Sequence, residues 1–355
     1  MKINFVITQL GGGGAERVVS LLAEYFASLS HDVTIICTSF NGSRSYKVNE
    51  SIKIISLVGK DENFITKAKK LRKIFYENRP DIIVSFLPNS DFLIYLSKGG
   101  KNSKIISSER NSPLDSPKSF ILRMLRWFGF MNADQIVFQS DGAKRYFSKK
   151  IQKKSVVIPN PIVFDKMPTP KPEGKRIIAV GRIVPQKNYS LLLSAFKIFH
   201  RAYPDYTLSI FGRDCCGGYI ENLINKFGLD NIVIHQGFSS SIWNEISKSS
   251  VFCLSSDFEG LPNALLEASA IGIPVISTDW RPGGARDVID SGNNGLVVPV
   301  GDAEAYAKAM CNIVKDIECY RKRAFLYRQV IRQKFDIRII GNEWIHTFEY
   351  LLREK

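Results

Sequence analysis

Residues 255–268 read SSDFEGLPNALLEA, and the rest of the chain is organised around this stretch. It follows VFCL at residues 251–254, a short apolar run typical of a buried strand. Residues 263–271 are rich in Ala and Leu and contain neither Gly nor Pro, which predicts a helix. Pro262 suits the first position of that helix, where its missing N–H leaves no bond unmade.

The turn between this strand and this helix predicts an anion site. It directs the free N–H groups at the start of the helix toward the space beyond the end of the strand, a geometry that favours a bound phosphate. Glu259 lies in the turn, and Glu267 shares a helix face with Asn263. A phosphate seat beside two acids suits a ligand that is half phosphate and half polyhydroxyl, such as a nucleotide-sugar. Alternatively, both acids lie on the surface of an ordinary unit, because Glu is common in first helical turns.

Length and composition indicate a globular protein of two domains. The chain has 355 residues, and domains average roughly 150. No apolar run approaches the ~20 residues of a membrane helix, and residues 1–10 resemble a first strand more than a secretory signal. The cysteines show neither zinc-like spacing nor a disulfide framework, which fits a reducing cytosol. Because there is no His cluster and no Asp-x-Asp pair, we expect neither a metal nor a cofactor.

The net charge of +15 favours a polyanionic partner, either nucleic acid or an anionic membrane, over a soluble protein that is merely basic. Residues 66–79 predict a basic amphipathic helix. Residues 117–130 combine Arg123, Arg126 and Trp127 with further aromatic residues, a mixture typical of an interfacial membrane anchor. The alternative for these segments is a core helix with a solvated basic face.

Strand patterns alternate with helix patterns along the whole chain, which predicts parallel, doubly wound α/β sheets. The predicted strands are residues 2–8, 32–38, 52–57, 81–86, 104–107 and 135–139, then 176–180, 207–211, 232–236, 251–254, 275–277 and 295–298. A proline-rich run at 159–174 separates the two sets. We therefore expect two Rossmann-like domains, residues 1–165 and 166–338, facing a central cleft, with a final helix at about 339–355 packing back onto the first.

One glycine-containing turn follows the first strand of each half. Gly11 to Gly14 allow the backbone to approach a ligand closely, which favours a ligand wall over a mere tight turn. They do not form a dinucleotide fingerprint, because Ala-Glu-Arg follows. In the second half, Arg182 and Lys187 bracket a turn ahead of a helix near Tyr189. Such cations grip phosphate oxygens and would stabilise a departing diphosphate, although a turn with two cations is by itself usually a solvated loop.

Four motifs taken together resemble the retaining glycosyltransferases of family 4, which have the GT-B fold. They are GGAER at 13–17, GR…KN at 181–188, HQGF at 235–238 and EGLP at 259–262 with Glu267, which matches the family's E-x7-E motif. The resemblance implies transfer of a hexose or N-acetylhexosamine from a nucleotide diphosphate sugar, with UDP favoured, to a glycan on a polyprenyl diphosphate lipid. It implies an enzyme of bacterial surface polysaccharide or oligosaccharide synthesis, peripheral on the inner face of the plasma membrane and metal-independent.

The resemblance also implies residue roles. Arg182 and Lys187 would hold the departing diphosphate, Glu259 would contact hydroxyls of the donor sugar, and these three would be catalytic. Glu267 would bind the ribose hydroxyls. The full donor-binding set would be Gly12, Gly13, Gly14, Gly237, Phe238, Gly260, Leu261, Asn263 and Glu267, with the Gly237–Phe238 pair along the nucleobase.

One turn departs from the pattern. Many relatives carry a histidine near the acceptor where residues 107–113 read SSERNSP here. Glu109 would then hydrogen-bond the acceptor hydroxyl, and Arg110 would face the donor or an anionic acceptor. The alternative is a structural role for both residues within the loop.

Two other functional classes remain as alternatives. A sugar-nucleotide epimerase or a phosphorylase would share the architecture, but phosphorylases use a lysine-bound cofactor and longer chains. A non-catalytic nucleic-acid-binding protein would require stacked aromatics on a β-face or a recognised binding module, and the sequence shows neither. That class would also leave Arg182, Lys187, Glu259 and Glu267 unexplained, so we expect no nucleic-acid partner.

Overall fold

The computed structural model describes residues 1–39, 48–57, 63–86, 88–97 and 103–354. The chain divides into two compact units, each described here by itself. The first unit comprises Met1–Pro161 together with Phe335–Lys355, and the second comprises Ile162–Lys334. The break at Ile162 lies within the proline-rich run.

The first unit contains a seven-stranded parallel sheet in the order β3-β2-β1-β4-β5-β6-β7. Its strands are β1 (Lys2–Ile7), β2 (Asp32–Cys37), β3 (Lys53–Ser56), β4 (Ile82–Phe86), β5 (Lys104–Ser108), β6 (Gln135–Phe138) and β7 (Ser155–Val157). The helices between them are α1 (Gly14–Ser28), α2 (Phe64–Asn78), α3 (Pro88–Leu96), α4 (Phe120–Asn132), α5 (Asp141–Tyr146) and α6 (Lys149–Lys153). The strand order reverses between β1 and β4, the position where such sheets open a binding crevice.

The second unit contains a six-stranded parallel sheet in the order β10-β9-β8-β11-β12-β13. Its strands are β8 (Arg176–Val180), β9 (Thr207–Phe211), β10 (Val233–Gly237), β11 (Val251–Leu254), β12 (Val275–Thr278) and β13 (Gly295–Val298). Its helices are α7 (Tyr189–Ala202), α8 (Tyr219–Phe227), α9 (Ile242–Ser247), α10 (Asn263–Ile271), α11 (Ala303–Lys315) and α12 (Ile317–Phe335), and short 3-10 turns occur at Phe164–Lys166 and Pro185–Lys187.

The central strands are buried on both faces, as parallel strands covered by helices require. Every residue of β4 and every residue of β11 is buried, and accordingly neither strand alternates apolar with polar residues. Each unit has its own buried apolar residues: those of the second unit form one large cluster, and those of the first form several. The buried strands are therefore short apolar runs, and the turns at either end set their length.

The C-terminal helix α13 (Ile337–Arg353) belongs to the first unit. Its buried face carries Ile340, Trp344, Phe348 and Leu351, spaced three or four residues apart, and these side chains join the core around β1 and β4. The Trp344 ring lies 6.4 Å from that of Phe86. Burying each such side chain contributes about 2 kcal/mol, so the helix is an integral part of this core.

The structure confirms the prediction of two parallel, Rossmann-like sheets and departs from it in two details. The sequence did not predict β7, because three residues are too few to show a period. Pro262 is the N-cap residue, in extended conformation, and the helix begins at Asn263. The prediction that Pro262 occupies the first helical position was therefore wrong by one residue.

Candidate active site

Two turns separated by about seventy residues in sequence meet at the carboxyl edge of the second sheet. They follow β8 and β11, which are hydrogen-bonded neighbours, so both turns rise from the same place. The Asp257 N–H donates to the Gln186 carbonyl at 2.9 Å, and the Gln186 side-chain amide donates to the Phe258 carbonyl at 2.7 Å. Ser255 Oγ donates to the carbonyl of Lys187 at 2.8 Å. These hydrogen bonds fix the two turns against each other.

The joined turns bring Lys187 and Glu259 into contact. Lys187 Nζ lies 2.6 Å from Glu259 Oε1, and the two side chains are 15% and 12% exposed. Ser256 Oγ donates to the same carboxylate oxygen at 2.8 Å. The pair is thus largely shielded from water but still reached by it, so a ligand oxygen has access to the ammonium group.

Asn188 positions this lysine, and the sequence analysis assigned it no separate role. Its backbone is left-handed, with φ 44° and ψ 54°, a conformation that Asn adopts more easily than most residues. Its side-chain oxygen accepts the Leu191 N–H at 3.0 Å and so caps α7. Its Nδ2 donates to Asp257 Oδ1 at 2.7 Å. The available signal was an Asn directly before a predicted helix.

Arg182 lies on the same turn with its side chain exposed, and it forms no ion pair within the described part of the chain. The backbone beneath it is held firmly, because the Tyr189 hydroxyl donates to the Gly181 carbonyl at 2.9 Å. Burial raises the pKa of Tyr189, so this hydroxyl keeps its proton. The structure therefore fixes the base of the Arg182 side chain and leaves its guanidinium in solvent.

The start of α10 carries the remaining predicted residues of the central stretch. Leu261 and Glu267 are buried, with 4% and 3% exposure, and Asn263 is half-buried in the first turn. The loop after β12 supports this turn from below: a Cβ added to Gly284 would lie 2.2 Å from the Gly260 carbonyl oxygen. Only glycine allows so close an approach. Gly284 was not among the predicted site residues, because the sequence marks it only by its place in a Gly-Gly pair.

The predicted nucleobase residues lie at the end of β10. Gly237 has a positive φ of 70°, and the neighbouring Phe238 ring is 57% exposed. His235 is tied down at both ring nitrogens, 2.8 Å from the Gly212 carbonyl and 2.7 Å from a Glu221 carboxylate oxygen. His235 therefore links β10 to the end of β9 and to α8, while the Phe238 ring is exposed to solvent.

The glycine loop of the first unit follows β1 and leads into α1. Gly12 has a φ of 106°, and Gly13 is the N-cap of the helix that begins at Gly14. The Gly13 N–H donates to Glu16 Oε2 at 2.7 Å. The loop therefore lies at the carboxyl edge of its own sheet, beside the switch between β1 and β4.

Glu109 follows β5 directly and forms a buried ion pair with Arg126 of α4. The Arg126 Nη1–Glu109 Oε2 distance is 3.2 Å, and the side chains are 5% and 4% exposed. Glu109 Oε1 accepts the N–H groups of Arg110 and Asn111, at 3.1 and 3.3 Å. Burial raises the pKa of Glu109. Because these groups occupy both carboxylate oxygens, the geometry favours the structural alternative for Glu109. Arg126 is likewise buried, unlike the exposed basic residue of an interfacial face.

Arg110 lies over two aromatic rings and forms no ion pair with the described residues. Its guanidinium carbon lies 4.5 Å from the Phe86 ring centroid and 5.7 Å from that of Trp344. Its Nη1 donates to Asn160 Oδ1 at 3.0 Å, whereas Nε and Nη2 are buried without a partner in the described residues. Burial lowers the pKa of Arg110 to about 9. Nearby, burial raises the pKa of Asp91, which accepts the Ser107 hydroxyl at 2.7 Å, to about 7.

Membrane-crossing helices and metal-binding clusters were the remaining features to compare with the predictions, within the residues that the structure describes. None of the helices found there combines the length and apolarity needed to cross a bilayer. No group of three or more His, Cys, Asp or Glu side chains suited to a metal ion occurs in the same residues. Metal independence stays a prediction.

Comparison with known proteins identifies the class of both halves of the chain. The family model described as "Glycosyl transferases group 1" matches residues 164–324, and that described as "Glycosyltransferase Family 4" matches residues 12–166. An α-1,4-N-acetyl-D-galactosaminyltransferase of Campylobacter jejuni is 28% identical over 97% of both chains. A second N-acetylgalactosaminyltransferase of that organism is 26% identical over 89% of this chain and 90% of its own.

Solved structures share the whole fold. Sucrose-phosphate synthase from Thermosynechococcus elongatus superposes with a TM-score of 0.87 at 18% identity, covering 100% of both chains. HepE from Anabaena, in complex with UDP and glucose, gives a TM-score of 0.83 at 16% identity, covering 98% of this chain and 99% of its own. The chain is therefore an enzyme of the glycosyltransferase class with the GT-B fold. Its two domains are like those of glycosyltransferase family 4.

Proposed function

We propose that the protein is a retaining glycosyltransferase that moves a hexose or N-acetylhexosamine from a UDP-sugar to a glycan on a polyprenyl diphosphate lipid. The observation that carries the proposal is the contact between Lys187 and Glu259 at the carboxyl edge of the second sheet. The two Campylobacter relatives, whose names describe transfer to undecaprenol-diphosphate-linked sugars, support the acceptor class. Relatives named for amylovoran and lipopolysaccharide core biosynthesis support a role in surface polysaccharide synthesis.

Lys187 and Arg182 would bind the donor diphosphate. Lys187 already lies in a shielded site where its charge acts through a lower dielectric, and Arg182 extends from a fixed backbone. Negative charge grows on the diphosphate as the sugar–oxygen bond breaks, so fixed cations lower the barrier without rearranging. Backbone groups of Gly260, Leu261 and Asn263 at the start of α10 would hold phosphate and sugar oxygens.

The remaining donor contacts follow the predicted assignments. Glu259 would accept hydrogen bonds from hydroxyls of the donor sugar, and Glu267 from those of the ribose. Gly237 and Phe238 would flank the nucleobase, with the exposed ring available for stacking. For Gly12, Gly13 and Gly14, contact with the phosphates remains the expectation. Arg110, with two N–H groups lacking partners in the described residues, is the acceptor-side candidate that the geometry retains.

We propose retention without an enzymatic nucleophile. The bond from the anomeric carbon to the diphosphate oxygen breaks, and the acceptor hydroxyl oxygen bonds to the same face of that carbon. The acceptor proton passes to an oxygen of the departing diphosphate, so the products are the extended glycan and the nucleoside diphosphate. This route needs electrostatic stabilisation of the leaving group and no general base, which matches a site built from cations and helix N–H groups.

The proposal also covers the location of the enzyme and its need for a metal. A lipid-linked acceptor places the enzyme at the inner face of the plasma membrane as a peripheral, cytoplasmic protein on an anionic surface. The reaction would need no metal, because the fixed cations take its usual place beside a diphosphate. The comparisons give no support to a sugar-nucleotide epimerase or a nucleic-acid-binding protein.

A panel of nucleotide-sugars tests the donor assignment. We expect a UDP-sugar at about 100 times its Kd to stabilise the protein by about 2.7 kcal/mol, seen as a rise in melting temperature, because a ligand that binds only the folded state shifts unfolding. Transfer from that donor to a synthetic prenyl diphosphate glycan should give a product with the donor's anomeric configuration by NMR. An inverted product would contradict retention, and the absence of a shift with every nucleotide-sugar would contradict donor binding.

A further inference from the structure

Helix α4 presents a continuous apolar stripe to solvent. The stripe consists of Phe120, Ile121, Met124 and Trp127, which are 75%, 68%, 55% and 58% exposed. Their spacing places them on one face of the helix. Large apolar residues that are exposed singly are ordinary, but four on one helical face mark an interaction surface.

The opposite face of α4 is fully occupied. Arg126, Gly129 and Phe130 are buried there, and a Cβ added to Gly129 would lie 2.6 Å from the Asp91 side chain of α3. Helices α3 and α4 therefore pack tightly, and α4 cannot turn its stripe inward without losing the Arg126–Glu109 ion pair. The exposure of the stripe is built into the fold.

An aromatic layer connects the stripe's helix to its neighbours α3 and α2. Phe64 of α2 stacks on Phe92 of α3 with a centroid distance of 5.5 Å, and Phe92 meets Phe128 of α4 edge-on at 6.0 Å. Tyr95 contacts the same Phe128 ring at 4.6 Å. The three helices thus form one layer at this side of the first unit.

The exposed charges around this layer are mostly basic, and the exposed Glu77 of α2 lies 3.8 Å from Lys73. Helix α4 contains no acidic residue, and Lys118 is exposed just before it. The solvent side of α2 carries the exposed Lys69, Arg72 and Lys73 beside Tyr76, which is 75% exposed. Aromatic and aliphatic side chains flanked by Lys and Arg match the chemistry of an anionic bilayer surface, with apolar groups among the acyl chains and cations at the headgroups.

We infer that the α4 stripe inserts into the headgroup region of an anionic lipid bilayer, with the basic face of α2 beside it. A second copy of the chain fits this surface less well, because pairing would bring two basic faces together. The inference rests on the proposed membrane setting and adds the side chains that enter the lipid. The proposed donor site lies in the second unit, so the membrane inference and the proposed donor binding can be refuted separately.

Vesicle flotation with phosphatidylglycerol-containing and neutral phosphatidylcholine vesicles tests the inference. We expect the double variant Ile121→Glu/Trp127→Glu to lower partitioning into anionic vesicles roughly tenfold or more, because two inserted side chains are lost. The matched control is Phe325→Glu/Leu326→Glu on α12, which adds the same charge at side chains that are 48% and 62% exposed. Equal partitioning of the stripe variant and the wild type would overturn the inference.

Tryptophan emission gives a second, site-specific readout. Trp280 and Trp344 are buried and Trp243 is half-buried, whereas Trp127 is 58% exposed and should account for most of a blue shift when anionic vesicles are added. We expect Trp127→Phe to retain vesicle binding and to lose most of that shift. A shift that persists in Trp127→Phe would contradict insertion of the stripe.

Two control measurements separate the possible failures. A wild-type dimer in sedimentation that the stripe variant dissociates, without vesicle binding, would assign the surface to self-association and overturn the lipid assignment. Thermal stabilisation by a UDP-sugar in the same variants should equal that of the wild type. Vesicle binding that depends on the stripe, in a protein that binds no nucleotide-sugar, would support this inference while refuting the proposed function.

Discussion

Each unit contains a carboxylate–cation pair at the carboxyl edge of its sheet, and the two pairs differ in access to water. Lys187 and Glu259 in the second unit are 15% and 12% exposed, whereas Arg126 and Glu109 in the first are 5% and 4% exposed. The Lys187–Glu259 pair lies on two turns, and in the proposed function it also contacts the donor. The Arg126–Glu109 pair is enclosed by a helix and by backbone carbonyls, so it contributes to the stability of the fold. If the proposed function is correct, burial rather than residue type distinguishes the ligand-binding pair from the structural one.

Removing the accessible cation should have the largest effect. We expect Lys187→Ala to lower kcat by about 10²–10³-fold, because fixed charge near the departing diphosphate is lost. Arg182→Ala should lower kcat in the same direction with no change in melting temperature, since its side chain is in solvent. Both are measured by initial transfer rates together with thermal unfolding.

Lys197→Ala is the matched control for the variants Lys187→Ala and Arg182→Ala. Lys197 is exposed on α7 and donates to the Phe227 carbonyl at 2.7 Å, away from both turns. Its substitution should leave the rate unchanged. Near-normal turnover in both Lys187→Ala and Arg182→Ala would refute the diphosphate role and with it the contrast between the two pairs.

Breaking the closed pair should act on stability instead. We expect Arg126→Met to destabilise the protein by about 3 kcal/mol, because it leaves the Glu109 carboxylate buried without its cation. The measurement is denaturant unfolding, with the exposed Arg145→Met as a control that should change little. If Glu109 contacts the acceptor, Glu109→Gln will lower the transfer rate while unfolding stays normal, and that outcome would contradict a structural role.

The smallest expected effect is a pH dependence in the first unit. Burial raises the Asp91 pKa from 3.8 to about 7, so the folded state holds a proton that the unfolded state has released. Stability therefore falls as pH rises from about 4 to about 7 and then levels off, a loss of about 2 kcal/mol between about pH 5.5 and 8. Asp91→Asn should remove this component of the pH profile. A profile identical to wild type would show that Asp91 titrates normally.

Local patterns predicted most of the fold. The strand runs, the glycine turns and the helix starts each depend on neighbouring residues, and apart from β7 every strand of the structure had a counterpart in the predictions. The two cations and two acids of the second half were also recognisable, because their motifs lie in short contiguous turns. Their roles toward donor and acceptor stay predictions.

Helix α4 shows what local patterns cannot reveal. Its sequence fits an interfacial anchor and a core helix with a solvated basic face almost equally well, and the structure shows only which residues are exposed and which are buried. One face, with Phe120 and Trp127, is exposed, while Arg126 is among the most buried charges in the described chain. Periodicity tells which residues share a face but not which face meets α3.

The sequence by itself determined the alternation of strands and helices, the two sheets and the chemical types available at the strand ends, because these depend on residues within one turn or one strand. Only the tertiary structure decided which charges meet. Lys187 contacts Glu259 because β8 lies beside β11 in the sheet, and Glu109 meets Arg126 because α4 folds over the end of β5. Strand order and helix packing arise from contacts distant in sequence, so they alone set the burial that separates a ligand site from a structural ion pair.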